Sequence, residues 1–167
     1  MQCVEAFAEQ GIRPDIFWYN PNIHPYTEYR ARRDSLRAYA ADSALPLVMK
    51  DEYGLREFLG AVGAGERPQR CAFCYRVRLE KTAALAAKDG YDAFSAALLI
   101  SPYQDHDLIR KTGEDLAVRY GVKFLYRDFR PRFRSGQQQA READYYMQKY
   151  CGCIFSEEER YLSQAKK

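Results

Sequence analysis

Four of the five cysteines in this sequence form two tight pairs, Cys71-Ala72-Phe73-Cys74 and Cys151-Gly152-Cys153, while Cys3 stands alone. Thiols three residues apart on a helix share a face and can reach one metal ion. Arg70 and Arg76 flank the first pair, and with a helix amino terminus they favour the thiolate, the form that ligates or attacks. Cys71 and Cys74 would supply two of the four ligands of a zinc or iron–sulfur centre; two ordinary buried cysteines are the plain alternative. In the second pair one residue separates the sulfurs, so a bridge would close a tight ring whose backbone angles glycine permits. Strained bridges are easily reduced, which suits a redox couple. On spacing alone, Cys151 and Cys153 are equally a redox couple or the completion of a metal site with Cys71 and Cys74, with structural coincidence as the third reading.

Arg127, Arg130, Arg132 and Arg134 interleave with Tyr126, Phe129 and Phe133. Cations for phosphates and rings for bases are what a single-stranded or looped RNA site requires, and a solvated strand edge has the same composition. Asp105, His106 and Asp107 offer groups for metal binding or proton transfer, and one of the aspartates serves equally well as the cap of the helix that follows. His24 lies in a proline-bounded turn after a strand, a position suited to a site, although a lone histidine there is commonly structural. The sequence carries no Walker motif and no glycine-rich dinucleotide fingerprint, which argues against a nucleotide cofactor.

Strands and helices must position these groups. The patterning predicts a helix over 4–9 and a strand over 15–19 closed by the Asn20-Pro21-Asn22 turn. A helix over 26–41, a strand over 45–49 and a short helix over 55–62 follow, then the best-patterned helix over 71–88. A strand over 93–100, a helix over 108–120, a strand over 122–126, a polar helix or helix pair over 134–149 and a charged tail helix complete the order. Such alternation implies βαβ units and a mainly parallel sheet, with ligands beyond the carboxyl ends of its strands. The loops at 20–25 and 101–107 would then share one edge.

The 167 residues, 47% of them apolar, suit one domain spanning 1–167. No apolar run approaches the about 18 residues of a membrane span, and the start has no basic-then-apolar signal pattern, which together suggest a cytoplasmic setting. A net charge of +3, from 26 basic and 23 acidic side chains, is too balanced to imply nucleic-acid binding by itself. The 14 tyrosines stack on bases or pack at the rim of a core, and composition does not choose between these.

Several segments carry a family likeness when taken together. They are Tyr19-Asn20-Pro21-Asn22-Ile23-His24-Pro25-Tyr26, Cys71-Ala72-Phe73-Cys74-Tyr75-Arg76 with Arg78-Leu79-Glu80-Lys81-Thr82-Ala83, and Ser101-Pro102-Tyr103 with Asp105-His106. Tyr126-Arg127-Asp128-Phe129-Arg130 and Tyr150-Cys151-Gly152-Cys153-Ile154-Phe155-Ser156 complete the set. Over residues 11–156 the chain resembles the cobalamin-independent epoxyqueuosine reductases, which finish the queuosine modification of tRNA. The resemblance implies an α/β fold similar to the adenine-nucleotide α-hydrolases, a three-layer sandwich around a five-stranded parallel sheet. It implies a [4Fe-4S] cluster held partly by Cys71 and Cys74, an additional iron, and a redox-active disulfide of Cys151 and Cys153. Members of that family begin with a central strand ending in Cys-Cys-Ala-Pro, which supplies the remaining cluster ligands. That segment is missing here and Cys3 lies just past its place, so the expectation is an amino-terminally truncated form unable to complete the cluster, with no ligand role for Cys3.

The implied reaction turns an epoxide on a cyclopentane ring into an alkene, consuming two electrons and two protons. Iron would polarise the epoxide oxygen as a Lewis acid, and the Cys151/Cys153 dithiol would relay the electron pair. Asp105 or His106 would give a proton. The tRNA anticodon arm would be held by Asn20, Asn22, His24, Ser101, Tyr103, Arg127 and Arg130, with electrons from a donor that the sequence does not identify. Two rival readings are a zinc-stabilised RNA-binding module without catalysis and a generic thiol–disulfide oxidoreductase.

Overall fold

A computed structural model describes residues 1–63 and 65–165. The described residues form two compact units, one from 1–14 and 65–136 and the other from 15–63 and 137–165. Each is built on a pair of parallel strands joined through a helix.

In the first unit, α1 (Gln2–Ala8) precedes α4 (Arg67–Asp89), β3 (Ala93–Phe94), α5 (His106–Tyr120) and β4 (Lys123–Phe124). Tyr75, Leu79, Ala83 and Ala86 recur at helical spacing along α4 and bury one face, against which Ile109 and Leu116 of α5 also pack. β3 and β4 are parallel, Phe94 opposite Phe124, with ring centroids 5.1 Å apart. A Cβ at Gly113 would stand 2.4 Å from the Phe124 ring, so only glycine lets α5 approach the strand this closely.

In the second unit, β1 (Ile16–Trp18) pairs in parallel with β2 (Leu47–Met49), and α2 (Tyr26–Asp42) is the crossover. α3 (Leu55–Val62), residues 137–142 of α6 (Phe133–Glu142) and α7 (Ile154–Ala165) complete it. Its core centres on Trp18, Ile23 and Tyr29; Trp18 Nε1 donates to the Tyr29 hydroxyl at 3.1 Å, which donates to Asp51 at 2.7 Å. Burial raises the Tyr29 phenol to about 12 and keeps it a donor.

The mixed α/β class with parallel strands agrees with the periodicity, and α3 occupies the expected residues. Most other boundaries shift by one or two residues, and three elements differ more. The apolar run at 93–100 is a strand only at Ala93–Phe94 and then tightens into a 3-10 turn over Ala97–Ile100, which sinks Leu99 into the core. α4 begins at Arg67, with Pro68 tolerated in its first turn, so Cys71 and Cys74 sit beyond the helix start, where the dipole acts less strongly than expected. The polar helix expected to 149 ends at Glu142.

Candidate active site

The first unit gathers the Cys-x-x-Cys helix, the 101–107 loop and the 126–130 segment. Tyr75, directly after Cys74, is buried and is the junction: its hydroxyl donates to Gln104 Oε1 at 2.9 Å and accepts from the Asp105 amide at 3.2 Å. Burial pushes its phenol up to about 12. The Asp105 carboxylate accepts from the Leu108 amide at 3.0 Å, so it caps α5. His106 is buried; its Nε2 lies 3.1 Å from the Ser101 carbonyl and its Nδ1 3.4 Å from the Tyr126 hydroxyl. The cap reading of Asp105 therefore applies, and His106 is the ring that links both loops.

The basic segment is tied into this unit. Arg127 donates to the Ala6 carbonyl at 3.2 Å, and Arg130 grips Asp128 with two nitrogens at 2.8 and 2.6 Å, holding that carboxyl down at about 2. Arg132 pairs with Glu9. Phe129 belongs to the core at 1% exposure, so it does not serve as a stacking platform. Tyr103, 73% exposed and edge-on to Phe133, is the ring presented to solvent.

The second unit positions the other pair. Residues 145–152 lie along α2 towards its amino end. Tyr145 donates to Asp42 at 2.6 Å, the Tyr146 amide to Ser35 at 3.2 Å, and the Tyr146 hydroxyl to Glu28. Arg32 then donates to the Tyr150 and Cys151 carbonyls at 2.7 and 3.0 Å, and the His24 amide to the Gly152 carbonyl at 2.8 Å. The Tyr150 hydroxyl returns a bond to the His24 carbonyl. Gly152 holds φ +113, and a Cβ there would meet Ile23 at 2.9 Å and Arg32 at 3.1 Å, so this place is reserved for glycine. Cys151 is exposed and Cys153 half-buried. A groove of about 350 Å³ beside this segment is lined in part by Glu28, Tyr146, Lys149 and Tyr150.

Asn20, Asn22 and His24 are all buried in the loop that receives Gly152. His24 packs edge-on to Tyr53 and against Phe58, and neither ring nitrogen meets a hydrogen-bond partner. Burial lowers its pKa to about 4, so it stays neutral at pH 7. These three side chains support the loop from within. Arg32, Glu28 and Tyr146 escaped the sequence reading; the i,i+4 spacing of Glu28 and Arg32 was their visible signal.

For a metal cluster, Cys71 and Cys74 share one side of α4 a turn apart, which suits two thiolate ligands. No group of three or more histidine, cysteine or acidic side chains able to hold a metal occurs among the described residues. Cys71 and Cys74 thus offer two of the four thiolates that an iron–sulfur centre requires.

Fold and site define an α/β protein with one cysteine pair on a helix and a second on a clamped glycine loop. The family model described as epoxyqueuosine reductase QueH matches residues 1–159. Among curated relatives, the epoxyqueuosine reductase QueH of Dehalococcoides mccartyi is 40% identical over 155 residues, covering 93% of this chain and 85% of the relative. The QueH of Thermotoga maritima is 37% identical over 155 residues, covering 87% and 80%. That of Haemophilus influenzae is 33% identical over 162 residues, covering 93% and 66%. The chain belongs to the QueH epoxyqueuosine reductase family.

Proposed function

We propose that this protein reduces epoxyqueuosine in tRNA to queuosine, an oxidoreductase reaction that closes queuosine synthesis. Family membership over residues 1–159 carries this reading. The reaction removes one oxygen as water and needs two electrons and two protons. Cys151 and Cys153 match that demand: two thiols become one disulfide, releasing two electrons and two protons per epoxide. A further reductant must then reopen the disulfide for each new turnover. His106, held between Ser101 and Tyr126, is the side chain favoured to carry one of those two protons, since Asp105 is engaged as a cap.

A [4Fe-4S] cluster, with an additional iron, would be held in part by Cys71 and Cys74; when bound, iron supplies Lewis acidity and electron transfer. The three-layer sandwich is proposed with it, supported by the two parallel βαβ crossovers. A tRNA partner makes a cytoplasmic setting the natural one, and no described helix is long and apolar enough to cross a membrane. The exposed Tyr103 is the ring best placed to stack on a base.

The test is anaerobic incubation of the iron-loaded protein with excess chemical reductant, such as dithionite, and tRNA bearing epoxyqueuosine, followed by nucleoside mass analysis. Queuosine should form over many turnovers, and Cys151→Ser should abolish repeated turnover. Absence of any queuosine sinks the activity; undiminished repeated turnover by Cys151→Ser sinks the relay.

A further inference from the structure

Three successive carbonyls, of Tyr150, Cys151 and Gly152, are each held by a donor, two of them by the same guanidinium. Arg32 is built for this contact. Its side chain is only 9% exposed, its Nε donates to Glu28 at 2.6 Å, and its Cζ lies 5.4 Å from the centroid of the Tyr150 ring. The other Glu28 oxygen accepts from Tyr146, so the carboxylate that orients the guanidinium is itself fixed. A planar fork can hold two adjacent carbonyls at once, whereas an ammonium acts as a single point charge. The absence of a side chain at position 152 leaves the space that Arg32 Nη1 approaches.

We propose that Arg32 is the positioning residue of the Cys151/Cys153 dithiol. It holds the loop so that Cys151 faces solvent as the reacting thiol, with Cys153 behind it as the resolving partner. This rests on the reading of the two cysteines as the redox pair. Closing that pair makes one sulfur–sulfur bond and passes two electrons and two protons to the epoxide, which leaves as alkene and water. Arg32 forms and breaks no bond in that step and acts through the loop alone. A surface arginine that merely neutralised nearby charge would tolerate lysine; a fork on two carbonyls does not.

The experiment is iodoacetamide labelling of the reduced, full-length protein, with Cys151 and Cys153 followed separately by peptide mass analysis. Wild type should label Cys151 about tenfold faster than Cys153, because Cys151 is exposed and Cys153 half-buried. In Arg32→Ala and in Arg32→Lys that preference should fall below about threefold. The same variants should lower kcat for epoxyqueuosine with KM for tRNA unchanged. An unaltered labelling preference in either variant, with native circular dichroism, overturns the proposal; where Arg32→Ala does not fold, Arg32→Lys makes the comparison. Labelling uses no tRNA, so a wild type that fails to reduce epoxyqueuosine yet loses its labelling order on substitution counts against the activity and in favour of the positioning role.

Discussion

Acidification should destabilise the second unit through one side chain, His24. Its imidazole is fully buried among Tyr53 and Phe58 without a hydrogen-bond partner, and its pKa falls from 6.5 to about 4. The unfolded chain binds the proton more tightly than the folded one between these values, so stability rises with pH across that window. The stabilisation is fully present above pH 6.5 and is lost as pH falls towards 4. At 1.36 kcal/mol per pKa unit, the loss is about 3 kcal/mol. Urea denaturation followed by tyrosine and tryptophan fluorescence at pH 7, 5.5 and 4 measures it, with His24→Leu as the reference. The variant keeps every carboxylate, so the difference between the two proteins isolates the imidazole. Leucine also removes two unpaired ring nitrogens, and the variant should match or exceed wild type at pH 7. If wild type and His24→Leu lose the same free energy between pH 7 and pH 4 to within about 1 kcal/mol, the buried-neutral account of His24 is wrong.

Other outcomes follow from the same geometry. Gly152→Ala places a Cβ against Ile23 and Arg32 at φ +113, and should cost about 1–3 kcal/mol in denaturation while slowing turnover. Asp105→Ala should lose about 1 kcal/mol through the α5 cap, whereas Asp105→Asn keeps both stability and turnover; loss of turnover in a stable Asp105→Asn protein would return the proton to Asp105. Cys71→Ser should diminish the brown absorbance gained on anaerobic iron and sulfide loading, and equal colour in variant and wild type would remove Cys71 from the ligand set.

The local part of the fold was readable because its signals are local. α3 follows from the run at 55–62, and the Asp105 cap from an acidic residue before a helical pattern. The run at 93–100 misled because alanine and leucine suit a buried strand and a buried turn alike, and only packing around Leu99 decides. The arginines at 127 and 130 read as free cations, but Asp128 and the Ala6 carbonyl engage them, the latter by a contact across more than a hundred residues. The clamp on the Cys-Gly-Cys loop was invisible for the same reason: Arg32 and its carbonyls lie 118 and 119 positions apart.

That separation sets an order of assembly. A chain emerging from the ribosome completes α2 long before residue 151 is made, and the Glu28–Arg32 pair can form within that helix from neighbours alone. Arg32 is thus already oriented when the last cysteines arrive, and the loop docks onto a prepared surface. Cys151 and Cys153, the proposed redox pair, are made more than a hundred residues after Arg32, so they meet a waiting clamp rather than having to build one.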